Sequence, residues 1–177
     1  KNTGREIWRV ERDERGQNWA TPFVWEHAER TEIVTSGTQG VRSYGLDGSL
    51  LWEMHGMSGL TIPTPFAKHG LLYISSGYPG GGLRPVYVVK PGATGDISIW
   101  SPNDMRTGLS SGFPGTKASS DAIAWAYPLL GTYNTSALVY GDQYYTLLDR
   151  GFLVAHDART GDEVYGRRRL EIGNGFT

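Results

Sequence analysis

Two stretches of this chain gather residue types that could hold a ligand. Residues 77–84 (Gly77-Tyr78-Pro79-Gly80-Gly81-Gly82-Leu83-Arg84) and residues 101 to about 131 are its longest irregular segments. In and just beyond them stand Tyr78, Arg84, Asp104, Arg106, Trp125, Tyr127 and Tyr133. Aromatic rings of this kind can stack on a sugar or another flat group, while Arg84 or Arg106 pairs with an anion. A plainer use competes with that one: Trp125 and Tyr127 could fold back to cover a sheet edge.

Other chemistries find less support. The glycine-rich run lacks a following Lys-Ser/Thr and a following helix, so it reads as a wide turn rather than a phosphate cradle. His27, His55, His69 and His156 are scattered at no metal-ligand spacing. Three of them read as surface or turn residues, and His156 reads as part of a strand. The chain has no cysteine, which removes disulfides, thiolate nucleophiles and cysteine-based metal sites. Asn134-Thr135-Ser136 is formally a glycosylation sequon. Lys+Arg 17 against Asp+Glu 18 leaves a net charge of −1. No long-range field then draws in nucleic acid, and no apolar run approaches a membrane span, so neither nucleic acid nor membrane insertion is expected.

The elements that must position these residues read as strands. Gly 25, Trp 6 and Tyr 10 lean all-β, with glycine punctuating turns and aromatics filling the space between sheets. A turn, a short gap and an aromatic recur at Thr3-Gly4…Trp8, Asp47-Gly48…Trp52, Thr94-Gly95…Trp100 and Thr160-Gly161…Tyr165. The aromatics follow one another at intervals of roughly forty to sixty-five residues, a sign of repeated units. Each unit reads as four strands. The first takes 20–24, 32–35, 41–44 and 50–52; the second 64–66, 71–74, 86–89 and 97–100; the third 136–140, 144–148, 152–155 and 163–165. A lone strand is expected at 6–10, ahead of the first unit.

Residues 155–165 run Ala-His-Asp-Ala-Arg-Thr-Gly-Asp-Glu-Val-Tyr. They match the motif Ala-x-Asp-x-x-Thr-Gly-x-x-x-Trp except at Tyr165, and the other units carry degenerate versions. The pattern resembles the tryptophan-docking motif of bacterial PQQ-like, quinoprotein-type β-propeller repeat proteins, related to the outer-membrane assembly propellers. The resemblance implies an all-β partial propeller of about three four-stranded antiparallel blades. Its parts are an outer strand of a preceding blade (1–10), blades at 19–52, 62–100 and 132–168, and the start of a next blade at 171–177. The outer-strand aromatics Trp8, Trp52, Trp100 and Tyr165 become staples between blades, and the two long loops emerge on one face.

Two functions follow from the resemblance. One is a non-catalytic binding or scaffold module of the bacterial cell envelope, periplasmic or extracellular. A protein or glycan would be its partner, and self-association could occur through open blade faces. The other is a fragment of a PQQ-dependent alcohol or sugar dehydrogenase, which would need PQQ and calcium. The residues favour the first: no catalytic and no metal-binding set can be placed on one centre by spacing.

Overall fold

In the computed structural model the described residues are 3–12, 16–38, 40–80, 82–100, 120–149 and 151–171. They contain no helix and form three separate sheets. The first holds β1 (Phe23–Glu26), β2 (Thr31–Ser36), β3 (Gly40–Tyr44) and β4 (Leu50–His55), with β8 (Gly95–Asp96) added outside β4. The second holds β5 (Phe66–Lys68), β6 (Leu71–Ser75), β7 (Val86–Val89) and β9 (Ile123–Tyr127). The third holds β10 (Leu138–Tyr140), β11 (Gln143–Leu148), β12 (Phe152–Asp157) and β13 (Glu163–Arg169). All neighbours are antiparallel except β4 and β8, which pair in parallel with Trp52 opposite Gly95.

The second sheet lies between the other two, and the residue pattern of its strands says why. β7 reads Val-Tyr-Val-Val and is buried at every position. A strand covered on both faces needs such an uninterrupted apolar run. Tyr87 and Val89 join Leu72 and Ile74 in a core shared with Trp25, Val34, Val41, Trp52 and Met54 of the first sheet. Val86 and Val88 turn the other way, joining Tyr73 and Trp125 against Tyr144 and Val154 of the third. β2 alternates instead, with Glu32, Val34 and Ser36 inward and Thr31, Ile33 and Thr35 less buried. That is the period-2 pattern of a sheet covered on one face.

Two sequence expectations change. The outer strand of the second sheet is not 97–100 but β9, which pairs with β7 through Tyr87–Ala126 and Val88–Trp125. Residues 97–100 alternate like a strand, yet Asp96 Oδ1 accepts from Ser98 N–H (2.9 Å) and Ser98 Oγ (2.5 Å), a local turn that bends the chain away. Ile97 is instead held on the first sheet, its N–H donating to Glu53 O at 2.9 Å, and Trp100 packs 4.8 Å from the Tyr87 ring. Residues 6–10 form no strand. Their Trp8 nonetheless reaches the first sheet, donating from Nε1 to Leu46 O at 2.9 Å and covering Gly48, whose φ is +87°. Past Glu171, the start of a further unit at 171–177 falls outside the described residues.

Candidate functional site

The loop after β6 and the loop after β9 meet backbone to backbone. Gly77 packs directly on the Gly131–Thr132 peptide, and Gly131 packs on the carbonyls of Ser76, Arg84 and Pro85. A Cβ at either glycine would overlap main chain, so this contact requires the absence of a side chain. Hydrogen bonds close it: Arg84 N–H to Pro128 O (2.9 Å), Gly131 N–H to Arg84 O (2.6 Å) and Ser76 N–H to Pro85 O (3.1 Å). Below lies a buried serine pair. Ser58 N–H donates to Ser76 Oγ at 2.9 Å, and Ser58 Oγ accepts from Tyr78 N–H at 3.1 Å.

On this base Tyr78 and Tyr133 stand together, ring centroids 5.4 Å apart and inclined at 57°. Both are half-buried, as is Arg84. The guanidinium of Arg84 has no ion-pair partner among the described residues. Two tilted phenol rings could take a flat or cyclic group, and Arg84, held in the same base by its backbone, carries a positive charge suited to an anion.

The other expected site residues lie elsewhere. Asp104 and Arg106 are outside the described residues. Trp125, only 2% exposed, is spent on joining sheets: its Nε1 donates to Ala158 O at 2.9 Å. Its ring covers Gly161, whose φ is +77°. Tyr73 Oη donates to the same Ala158 carbonyl at 3.0 Å, and Tyr127 Oη donates to Gly161 O at 2.8 Å. Burial raises the Tyr73 hydroxyl to about 12 and raises that of Tyr127 as well, so both remain donors. Tyr127 also packs 4.9 Å from the His156 ring, and burial lowers the pKa of His156. Of the described site residues, then, Tyr78 and Tyr133 pack together and Arg84 joins their base through its backbone, while Trp125 and Tyr127 join the second and third sheets.

A further polar cluster was not anticipated. Glu32 is fully buried. Its Oε1 accepts from His27 Nε2 at 2.7 Å, and its Oε2 from Trp52 Nε1 at 2.6 Å and from the Ser43 hydroxyl. Arg30 Nε stands 3.3 Å from Oε1, within ion-pair range but misaligned for a hydrogen bond. The same guanidinium donates to Ala93 O at 2.5 Å. His27 is thus no surface residue, since its side chain is 3% exposed. The signal available in the sequence was Glu32 sharing the inward face of β2 with Val34. Closed in by its partners, this carboxylate ties β1, β2, β3 and β4 together and meets no open cleft.

Among the described residues no three His, Asp or Glu side chains stand together as a metal site, and no helix is long and apolar enough to cross a membrane. No protein-family model matches the chain, and no curated protein matches it.

Proposed function

We propose that this chain is part of a propeller-type repeat protein of the PQQ-like kind, acting as a non-catalytic binding or scaffold module of the bacterial cell envelope. The propeller reading is supported by a joint made twice in the same way. A tryptophan donates to a turn carbonyl and covers a positive-φ glycine of the neighbouring sheet, Trp8 at Leu46 and Gly48, Trp125 at Ala158 and Gly161. The envelope placement rests on the sequence resemblance.

The observation that carries the binding role is the Tyr78–Tyr133 pair, set on loops whose backbones interlock, Arg84's among them. A rigid base lowers the ordering cost of binding, and surplus loop length on such a base is where recognition residues collect. The ligand class is a ring-bearing anion, with an acidic glycan as the representative.

The test is a calorimetric titration with a short polyuronate oligosaccharide and with a neutral oligosaccharide of equal length. The acidic one binds and the neutral one binds more weakly. Tyr78→Ala and Tyr133→Ala each weaken the acidic ligand by about tenfold, and Arg84→Ala removes the preference for charge. A wild-type protein that binds neither sugar up to about 1 mM, or tyrosine variants that bind unchanged, would sink the reading. PQQ with calcium is titrated alongside, and saturable uptake would favour the dehydrogenase.

A further inference from the structure

β5 and β10 stand at the ends of their sheets and wall an open groove of about 380 Å³ between residues 64–68 and 136–139. The two hairpins fix which backbone groups look into it. In the third sheet, Tyr140 pairs with Gln143 across a two-residue turn that starts at Gly141 with φ +59°. The pair closing such a turn exchanges both hydrogen bonds, so alternate residues of β10 address β11. Val139 therefore turns its N–H and C=O away from β11, toward the groove. In the second sheet, Lys68 pairs with Leu71 across His69 and Gly70, both at positive φ. By the same alternation Ala67 turns its groups outward from β5. Neither residue has a strand partner on that side among the described residues.

We infer that this groove receives an extended peptide, added as a strand along β10 and facing β5. Its backbone would pair with the outward N–H and C=O of Val139. Its side chains would lie beside Leu138 and Tyr140, which are 54% and 79% exposed. Cross-strand neighbours of this type add to pairing. At about 3.3 Å per residue, the five residues 64–68 give the groove a length of roughly 16 Å, enough for four or five peptide residues.

The charge at one end narrows the partner. Lys68 is the groove's one charged wall residue, exposed and without an ion-pair partner among the described residues. At the adjoining turns Arg159 is already paired with Asp142 at 2.6 Å, and His69 Nε2 donates to Gly141 O at 2.8 Å. A peptide with an acidic residue at the Lys68 end satisfies that free charge. The surface is distinct from the tyrosine pair and does not depend on its reading.

The probes are two fluorescein-labelled pentapeptides alternating valine and threonine, one with glutamate at both ends and one with lysine at both ends, followed by anisotropy. Val139→Pro removes the outward N–H of β10, at a place where an edge strand tolerates proline; Val139→Ala, which keeps that N–H, controls for the core packing the valine side chain gives up. Wild type binds the glutamate peptide. Val139→Pro keeps the far-UV spectrum and weakens that binding about tenfold or more relative to Val139→Ala, and Lys68→Glu reverses the preference between the two peptides. Peptide bound as well by Val139→Pro as by Val139→Ala overturns the proposal. No wild-type binding up to about 1 mM overturns it as well. So does a dimer of this chain in sedimentation that Val139→Pro disperses, because a second copy would then be the occupant.

Discussion

Glu32 offers the sharpest test of how this fold is held. In Glu32→Gln the shape is kept, the charge is lost and one acceptor oxygen becomes a donor. If the new NH₂ faces Trp52 and Ser43, the indole N–H meets a donor, and an indole cannot accept. If it faces His27 instead, the imidazole can change tautomer, but Arg30 then lies against an amide with no counter-charge. In the first arrangement the buried indole N–H is left without its partner, at about 1–3 kcal/mol; in the second His27 Nδ1 carries the proton and no longer accepts from Glu29 N–H; in both the ion pair with Arg30 is gone. A loss of about 2–4 kcal/mol follows. Glu32→Ala orphans the indole, hydroxyl, imidazole and guanidinium together and opens a cavity, so its loss is about 3–5 kcal/mol or more. Against a total of roughly 5–15 kcal/mol, that brings the alanine variant close to unfolding. Urea melts followed by tryptophan fluorescence measure both, and Trp52 itself reports the site. For a chain of this size, 3 kcal/mol corresponds to about 6–12 °C in Tm. A glutamine variant within about 0.5 kcal/mol of wild type would refute the reasoning, since the carboxylate would then be tolerated rather than holding four strands.

Two further predictions follow from the joint between the second and third sheets. Trp125→Ala should cost about 3–5 kcal/mol in urea melts, and Trp100→Ala, at the position the sequence pattern favours, should cost less because Trp100 is only partly buried. His156 is buried with its Nδ1 unpartnered and its pKa lowered by burial. The unfolded chain therefore takes up a proton at higher pH than the folded one, and stability is lost as pH falls from about 6.5 toward the lowered value. Tm measured between pH 7.5 and 5 should fall less steeply in His156→Gln than in wild type.

Much of the strand pattern was legible because it rests on local chemistry. Asp47-Gly48 and Thr160-Gly161 mark turns, and alternation marks the one-sided strands of the first and third sheets. Asp157 shows why such a motif recurs: its Oδ1 accepts from the N–H groups of Arg159 (2.8 Å) and Thr160 (2.9 Å), pre-folding the turn on which Trp125 lands. Strand exchange at the edge of the second sheet was not legible. Residues 97–100 and β9 both alternate, and only tertiary pairing decides between them; the Asp96–Ser98 turn is a small signal beside four alternating residues. The candidate site was half legible. Tyr78 and Tyr133 could be placed on long loops, but their meeting depends on Gly77 and Gly131 packing across far-separated loops. Trp125 and Tyr127 could be read as covering a sheet edge or as a ligand platform, but their joint to the third sheet was not legible, because their partners, Ala158 and Gly161, lie in another unit.

The aromatic-on-glycine joint has a consequence for how such a chain can change. Sheets held by a side chain dropped onto a turn do not need short connections between their strands. β7 ends at Val89 and its ladder partner begins at Ile123, yet Trp125 still lands on Ala158 and Gly161. Closing a longer loop costs only a slowly growing entropy, about 0.6 kcal/mol per doubling. A fold jointed this way can lengthen a connection, try new residues in it and keep its core, because the fit between sheets is carried by side chains of the strands and turns rather than by the path of the chain.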